Sequence, residues 1–190
     1  MGKILKGETH LVIPNDTLVL IVGSQNSGKT TFTQKHFKDK NIICTDDIFN
    51  EIVYKKSTVL DTLETIENRT IEEFGEIIIK SAKEKGITVV DAVPILFDNR
   101  METLRELKEL YNNIILIVLD IKFTTLKGRP KKPIDRKKRK FGITETCDEE
   151  LLLNSILISE QIQNKKIGYN VDIAYVLSEE DVEKCIVTFE

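Results

Sequence analysis

Residues 17–37 read TLVLIVGSQNSGKTTFTQKHF, and their reading decides the fold. Thr17 to Gly23 is an unbroken apolar, β-rich run closed by glycine. That is the pattern of a parallel strand buried on both faces. Gly23 to Thr30, GSQNSGKT, satisfies G-x-x-x-x-G-K-[ST] in full. Lys29 to Lys38 then reads as a helix. A glycine-rich turn between a buried strand and a helix start is a phosphate cradle. Gly23 and Gly28 are expected to supply backbone angles that a side chain would forbid. The curled backbone points several N–H groups at one anion, and the helix adds its positive N-terminal end. Lys29 is expected to reach the β- and γ-phosphates as a point charge. The Thr30 hydroxyl offers Mg2+ a hard oxygen ligand. The expected nucleotide-binding set is Gly23, Asn26, Ser27, Gly28, Lys29, Thr30 and Thr31. The bare motif arises by accident in roughly one chain in a hundred, and the flanking strand and helix lower that further. The motif implies binding of ATP or another nucleoside triphosphate; it is silent on the fate of the γ-phosphate.

Outward from the cradle, strands and helices alternate. His10 to Pro14 is a short apolar stretch followed by Asn15-Asp16, the signal of a hairpin turn. Strands are expected at Asn41–Thr45, Ile87–Ala92, Ile114–Ile121 and Val171–Leu177. Helices are expected at Asp47–Tyr54, Thr70–Lys85 (stopped by Gly86), Asp98–Tyr111 and Glu145–Gln163. Ser178 opens a closing helix with Asp181 in its first turn. The order predicts an α/β P-loop NTPase fold of the kinase-like type. It has a parallel sheet of about five strands flanked by helices, in one domain over residues 1–190. A basic lid is expected over about 122–143.

Ligands of an open parallel sheet sit beyond the carboxyl ends of its strands. Asp46, with Asp47 beside it, stands at one such end and Asp91 at another. Apolar strand then Asp is what a kinase needs: one carboxylate to accept the acceptor's hydroxyl proton, another to hold water on the metal. Asp46 is favoured as the base, with Asp47 near the acceptor. Either Asp47 or Asp46 serves equally well, on sequence, as a helix N-cap. Asp91, the expected metal-side acid with Thr30, also reads as a polar strand terminus. His10 and His36 have no recognisable partners and are assigned no role.

Composition bounds the alternatives. The chain has 190 residues, 41% hydrophobic and 31% charged, with 9 Gly and 4 Pro. That suits a compact core and excludes disordered and collagenous classes. The apolar runs are too short to span a bilayer, and the N-terminus lacks the apolar core of a signal peptide. Cys44, Cys147 and Cys185 are odd in number and far apart, the usage of reduced thiols in a cytoplasmic protein. Residues 127–140, KGRPKKPIDRKKRK, hold nine cations against Asp135 alone, in a chain of net charge −3. An acidic body with one basic strip suits an anionic partner. A solvated loop with no ligand suits the strip equally. Following the fourth parallel strand, the strip sits where P-loop kinases place a lid. Arg129, Arg136 or Arg139 there would neutralise charge developing during transfer. Nine cations exceed the need of one triphosphate, and the surplus fits a nucleic-acid strand held through its phosphates. Only Phe123 and Phe141 flank the strip, so base stacking within it is minor.

Leu11 to Phe37 resembles the opening of bacterial and phage polynucleotide kinase domains of the end-healing kinase–phosphatase type. IICTDD, GITVVDA with Arg100 beyond it, IILIVLDI before the basic strip, and GYNVDIAYVLSEEDVE follow in the same order. The resemblance implies transfer of the γ-phosphate of ATP to a 5′-hydroxyl end of RNA or DNA, with Mg2+, in nucleic-acid repair. It implies triphosphate and metal binding by Lys29 and Thr30, a base at Asp46, lid contacts from Arg129 and Arg136, and an acceptor-side contact from Arg100. Two departures lie on the acceptor side. Phe49 stands where the family has an Arg, and Val93-Pro94 where it tends to have Thr-Asn. Lys55 or Lys56 is the conjectured substitute for that Arg. The departures keep two other readings open: a kinase for a nucleoside, nucleotide or other small acceptor, and a nucleotide- or nucleic-acid-binding module without transfer activity.

Overall fold

The computed structural model describes residues 1–91, 104–105, 107–130, 138–139, 141 and 146–190. The strands are β1 (Lys3–Lys6), β2 (His10–Ile13), β3 (Thr17–Gly23), β4 (Asn41–Cys44), β5 (Thr88–Asp91), β6 (Asn113–Leu119), β7 (Ile173–Leu177) and β8 (Ile186–Phe189). The helices are α1 (Lys29–Phe37), α2 (Thr45–Glu51), α3 (Leu63–Lys83), α4 (Phe123–Gly128), α5 (Asp148–Gln163) and α6 (Glu179–Lys184). A π-turn, Ile52–Lys56, continues α2, and a 3-10 turn, Lys166–Gly168, follows α5.

Six strands form one parallel sheet in the order β1-β7-β6-β3-β5-β4. β3 and β6 are central, aligned from Thr17 opposite Asn113 to Gly23 opposite Leu119. Strand alternation divides their side chains between two cores. Leu18, Leu20, Val22, Ile114, Leu116 and Val118 face α2, α3 and the C-terminal half of α5. Val19, Ile21, Ile115, Ile117 and Leu119 face α1, α4 and the β2–β8 ribbon. Both faces are covered, which is why these strands read as continuous apolar runs.

Several expectations are corrected. β1 adds a sixth strand at the sheet edge. The Asn15-Asp16 turn exists, with Asp16 at φ 57, but it makes no hairpin. β2 pairs instead with β8, in parallel, bringing Leu11 and Ile13 onto the second core. α3 begins at Leu63, not Thr70. Its cap is Thr62, which accepts the Thr65 N–H at 3.2 Å. Thr70 is buried within the helix, its hydroxyl returned to the Ile66 carbonyl at 2.8 Å. The left-handed residue after α3 is Lys85, at φ 47, so Gly86 is not the stop. The first six residues of the expected lid region from Phe123 are helical, as α4. Half of the helix expected over Asp98–Tyr111 (residues 98–103 and 106) falls outside the described residues, as do Val93 and Pro94. Among the described residues no helix is long and apolar enough to cross a membrane.

Candidate nucleotide and phosphoryl-transfer site

The cradle joins the end of β3 to the start of α1 at the carboxyl edge of the sheet. Its curl rests on two left-handed residues, Asn26 at φ 62 and Gly28 at φ 93. Gly28 therefore fills the role expected of it. Gly23 does not: it has no left-handed angle, and its need is space. A Cβ there would collide with Ser27 Oγ and lie 3.2 Å from Leu119 Cβ. Ser27 Oγ is buried without a hydrogen-bond partner. Gly28 caps α1 with no side-chain hydrogen bond, and the first turn holds no acid. The free N–H groups there keep their attraction for an anion. Thr30 and Thr31 are exposed on that turn.

Lys29 turns its ammonium back over the cradle, donating to the carbonyls of Gly23 at 2.9 Å and Ser24 at 3.1 Å. Burial pulls its pKa below the ordinary lysine value, while the charges of Asp91, then Asp46, then Cys44 oppose that pull. The ammonium thus lies within electrostatic reach of both expected acids. Asp91 ends β5 as expected, directly opposite Cys44 of β4. It is 2% exposed, and its Oδ1 has no hydrogen-bond partner. A buried carboxylate oxygen left unpaired is costly unless a cation meets it. Together with the Thr30 hydroxyl it fits a hard divalent cation bound partly through phosphate oxygens.

Asp46 differs from its expected placement. β4 stops at Cys44, and Asp46 and Asp47 are both in the first turn of α2, exposed. Neither is the N-cap; that position is Cys44. Two carboxylates at a helix N-terminus are favoured by its dipole without capping it. Burial first of all drives the Cys44 thiol pKa up to about 11, which disfavours the thiolate. Phe49 is partly buried against the first core. Lys55 and Lys56 lie on the π-turn and face acids. Lys55 is 4.0 Å from Glu51, and Lys56 is 3.9 Å from Glu51 and 2.8 Å from Glu73.

Arg129 follows α4 and already touches the cradle. Its Nη1 donates to the Asn26 carbonyl at 2.7 Å, and its Nη2 is 3.6 Å from Glu179 Oε1. Lys127 of the same strip pairs with Asp148 at 3.1 Å. Arg100 and Arg136 lie outside the described residues. Two residues escaped the sequence reading. Glu179 showed only as an acid in the first turn of the closing helix. Asn50, one turn beyond Asp46, has a buried Oδ1 without a partner, and no sequence signal marks it.

No family model matches this chain. The signal recognition particle protein of Helicobacter pylori, from two strains, is 29% identical over 179 residues, covering 85% of this chain. The chain spans 37% of the length of those curated relatives. Among solved structures it is similar to a chain of the Pnkp1/Rnl/Hen1 RNA repair complex. The TM-score is 0.60 at 18% identity, over 79% of this chain and 46% of that one. It is also similar to a chain of the PezAT chromosomal toxin–antitoxin system of Streptococcus pneumoniae. There the TM-score is 0.50 at 13% identity, over 87% of this chain and 69% of that one. The fold is that of the P-loop kinases: a parallel sheet, flanking helices and a phosphate cradle after the central strand.

Proposed function

We propose that this chain is an ATP-dependent phosphotransferase whose acceptor is a 5′-hydroxyl end of RNA or DNA. One observation carries the transferase reading. The Lys29 ammonium, the uncapped start of α1 and the unpaired buried oxygen of Asp91 meet at one end of the sheet. The ammonium and the free N–H groups would face a triphosphate there, and the acid would face its metal. Lys29 and the amides of residues 23–31 bind and orient the phosphates. Thr30 and Asp91 would hold Mg2+, which would neutralise phosphate charge. Asp46 takes the proton of the acceptor hydroxyl. The freed oxygen bonds to the γ-phosphorus, and the bond from that phosphorus to the β–γ bridging oxygen breaks, releasing ADP. Arg129, and Arg136 by resemblance, offset the charge that spreads over the transferring group.

The polynucleotide acceptor is supported by the family resemblance, the likeness to the RNA repair complex chain and the basic strip. The test is transfer of labelled γ-phosphate to a 5′-hydroxyl oligonucleotide. Wild type labels it and Lys29→Ala does not; equal labelling removes the polynucleotide reading. Asp46→Asn abolishes transfer and leaves ATP affinity nearly unchanged, because a base acts on the acceptor and not on the nucleotide.

A second reading has its own support on α2. Phe49 packs into the core, Asp46, Asp47 and Glu51 make the helix acidic, and the two lysines beyond it face acids. That surface disfavours a phosphate next to the accepting hydroxyl and suits a small acceptor. ADP release measured against a panel of nucleosides and other small alcohols separates the two readings.

A further inference from the structure

Glu179 is linked to the cradle through Arg129. It is the first residue of α6, and its carboxylate divides between two partners. Oε2 accepts the Thr125 hydroxyl of α4 at 2.9 Å, and Oε1 lies 3.6 Å from Arg129 Nη2. Arg129 in turn donates Nη1 to the Asn26 carbonyl, 2.7 Å away. The same Nη1 lies 3.5 Å from where a Gly28 Cβ would stand. Asn26 and Gly28 are the two left-handed residues that give the cradle its curl. Arg129 therefore sits on the two points that set the cradle's shape.

An arginine side chain loses much rotamer freedom when its guanidinium is fixed. Here one hydrogen bond to the Asn26 carbonyl and one ion pair with Glu179, on different elements, restrain the guanidinium. Glu179 is itself held. Thr125 grips its carboxylate, and the Ser178–Asp181 capping box fixes the turn it opens. Cradle, α4 and α6 meet at one guanidinium.

We propose that Glu179 is a positioning residue: it holds Arg129 over the cradle's mouth, where the guanidinium meets the phosphates of the nucleotide. The proposal rests on the nucleotide reading of the cradle. The pair is 36% and 40% exposed, so it adds little to the stability of the fold. Its effect falls on where the guanidinium points.

Mg·ATP is titrated calorimetrically into wild type, Glu179→Ala, Glu179→Asp, Arg129→Ala and the double alanine variant. Glu179→Ala weakens ATP by roughly threefold to tenfold, at the low end of the coupling range of side chains in contact because the pair is half-exposed. Arg129→Ala weakens it at least as much, and the double variant is no weaker than Arg129→Ala alone. Glu179→Asp recovers part of the loss, and all variants melt with wild type. Unchanged or tighter ATP binding in Glu179→Ala overturns the proposal, as do additive losses in the double variant. A wild type that takes up no ATP removes the nucleotide reading and this proposal with it. A wild type that binds ATP no better than Glu179→Ala removes this proposal alone.

Discussion

Gly23 shows how one residue's reason differs from its motif's reason. The motif demands glycine there, and on sequence the reason expected is backbone angle. The structure assigns it to the closeness of Ser27 Oγ and Leu119 Cβ. Gly23→Ala should overpack the strand end and cost about 1–3 kcal/mol. Pairing it with Ser27→Gly should recover part of that loss; chemical denaturation of the three variants reads both effects, and no recovery would move the conflict to Leu119. His36 makes a second test. Burial, then Lys35, lowers its pKa below the ordinary histidine value. The folded form therefore resists a proton that the unfolded chain accepts at about pH 6.5. Stability should be full above that pH and fall as pH drops toward the lower folded value. His36→Gln should flatten this part of the pH–stability curve, and an unchanged slope would remove His36 as its source. At this scale the cradle was legible because its residues are contiguous. Asp46 and Glu179 were less so. Whether a strand stops at residue 44 or 45 decides on which element Asp46 stands, and the link from Arg129 to Glu179 spans fifty residues that only the fold brings together.

Elements with strong local signals were read correctly, and those defined by distant partners were not. The closing helix is the clear success. Ser178 Oγ accepts the Asp181 N–H at 3.3 Å, and Asp181 Oδ2 accepts the Ser178 N–H at 2.9 Å. Ser178→Ala should destabilise the protein by about 1 kcal/mol, measured by thermal melting. The Ser178 contacts lower the Asp181 pKa. The helix-capping contribution is thus complete above the ordinary carboxylate value of about 3.9 and is lost only as pH falls through the lower folded value. β1 and β8 were invisible for a different reason. Lys3–Lys6, KILK, has no alternation and lies at an edge, and Ile186–Phe189 is a four-residue run whose partner lies at the other end of the chain. Period and propensity carry no information about such pairings. The helix expected from Thr70 in fact starts seven residues earlier, and the Thr70 hydroxyl is spent inside it.

Over the whole molecule, charge is divided. The body is acidic, the 127–140 strip is basic, and the two meet at the edge of the cradle through Arg129 and Glu179. Two segments of opposite sign result: α2 carries Asp46, Asp47 and Glu51 at the carboxyl end of the sheet, and residues 127–140 of the sequence carry nine cations. A nucleic-acid acceptor must gain from the strip more than it loses against α2. Such gain comes from neutralised phosphates and released counterions, so it is sensitive to salt. A small neutral acceptor draws nothing from the strip and is nearly indifferent to salt. Turnover per unit enzyme and acceptor, kcat/KM, should then fall by roughly tenfold or more between 50 and 200 mM salt for a 5′-hydroxyl oligonucleotide, as a few phosphate contacts require. Charge reversal of Lys131 and Lys132 should flatten that slope while leaving ATP affinity in place. If the wild-type slope is flat, the strip does not hold the acceptor, and the acidic face of α2 becomes the better guide to the substrate.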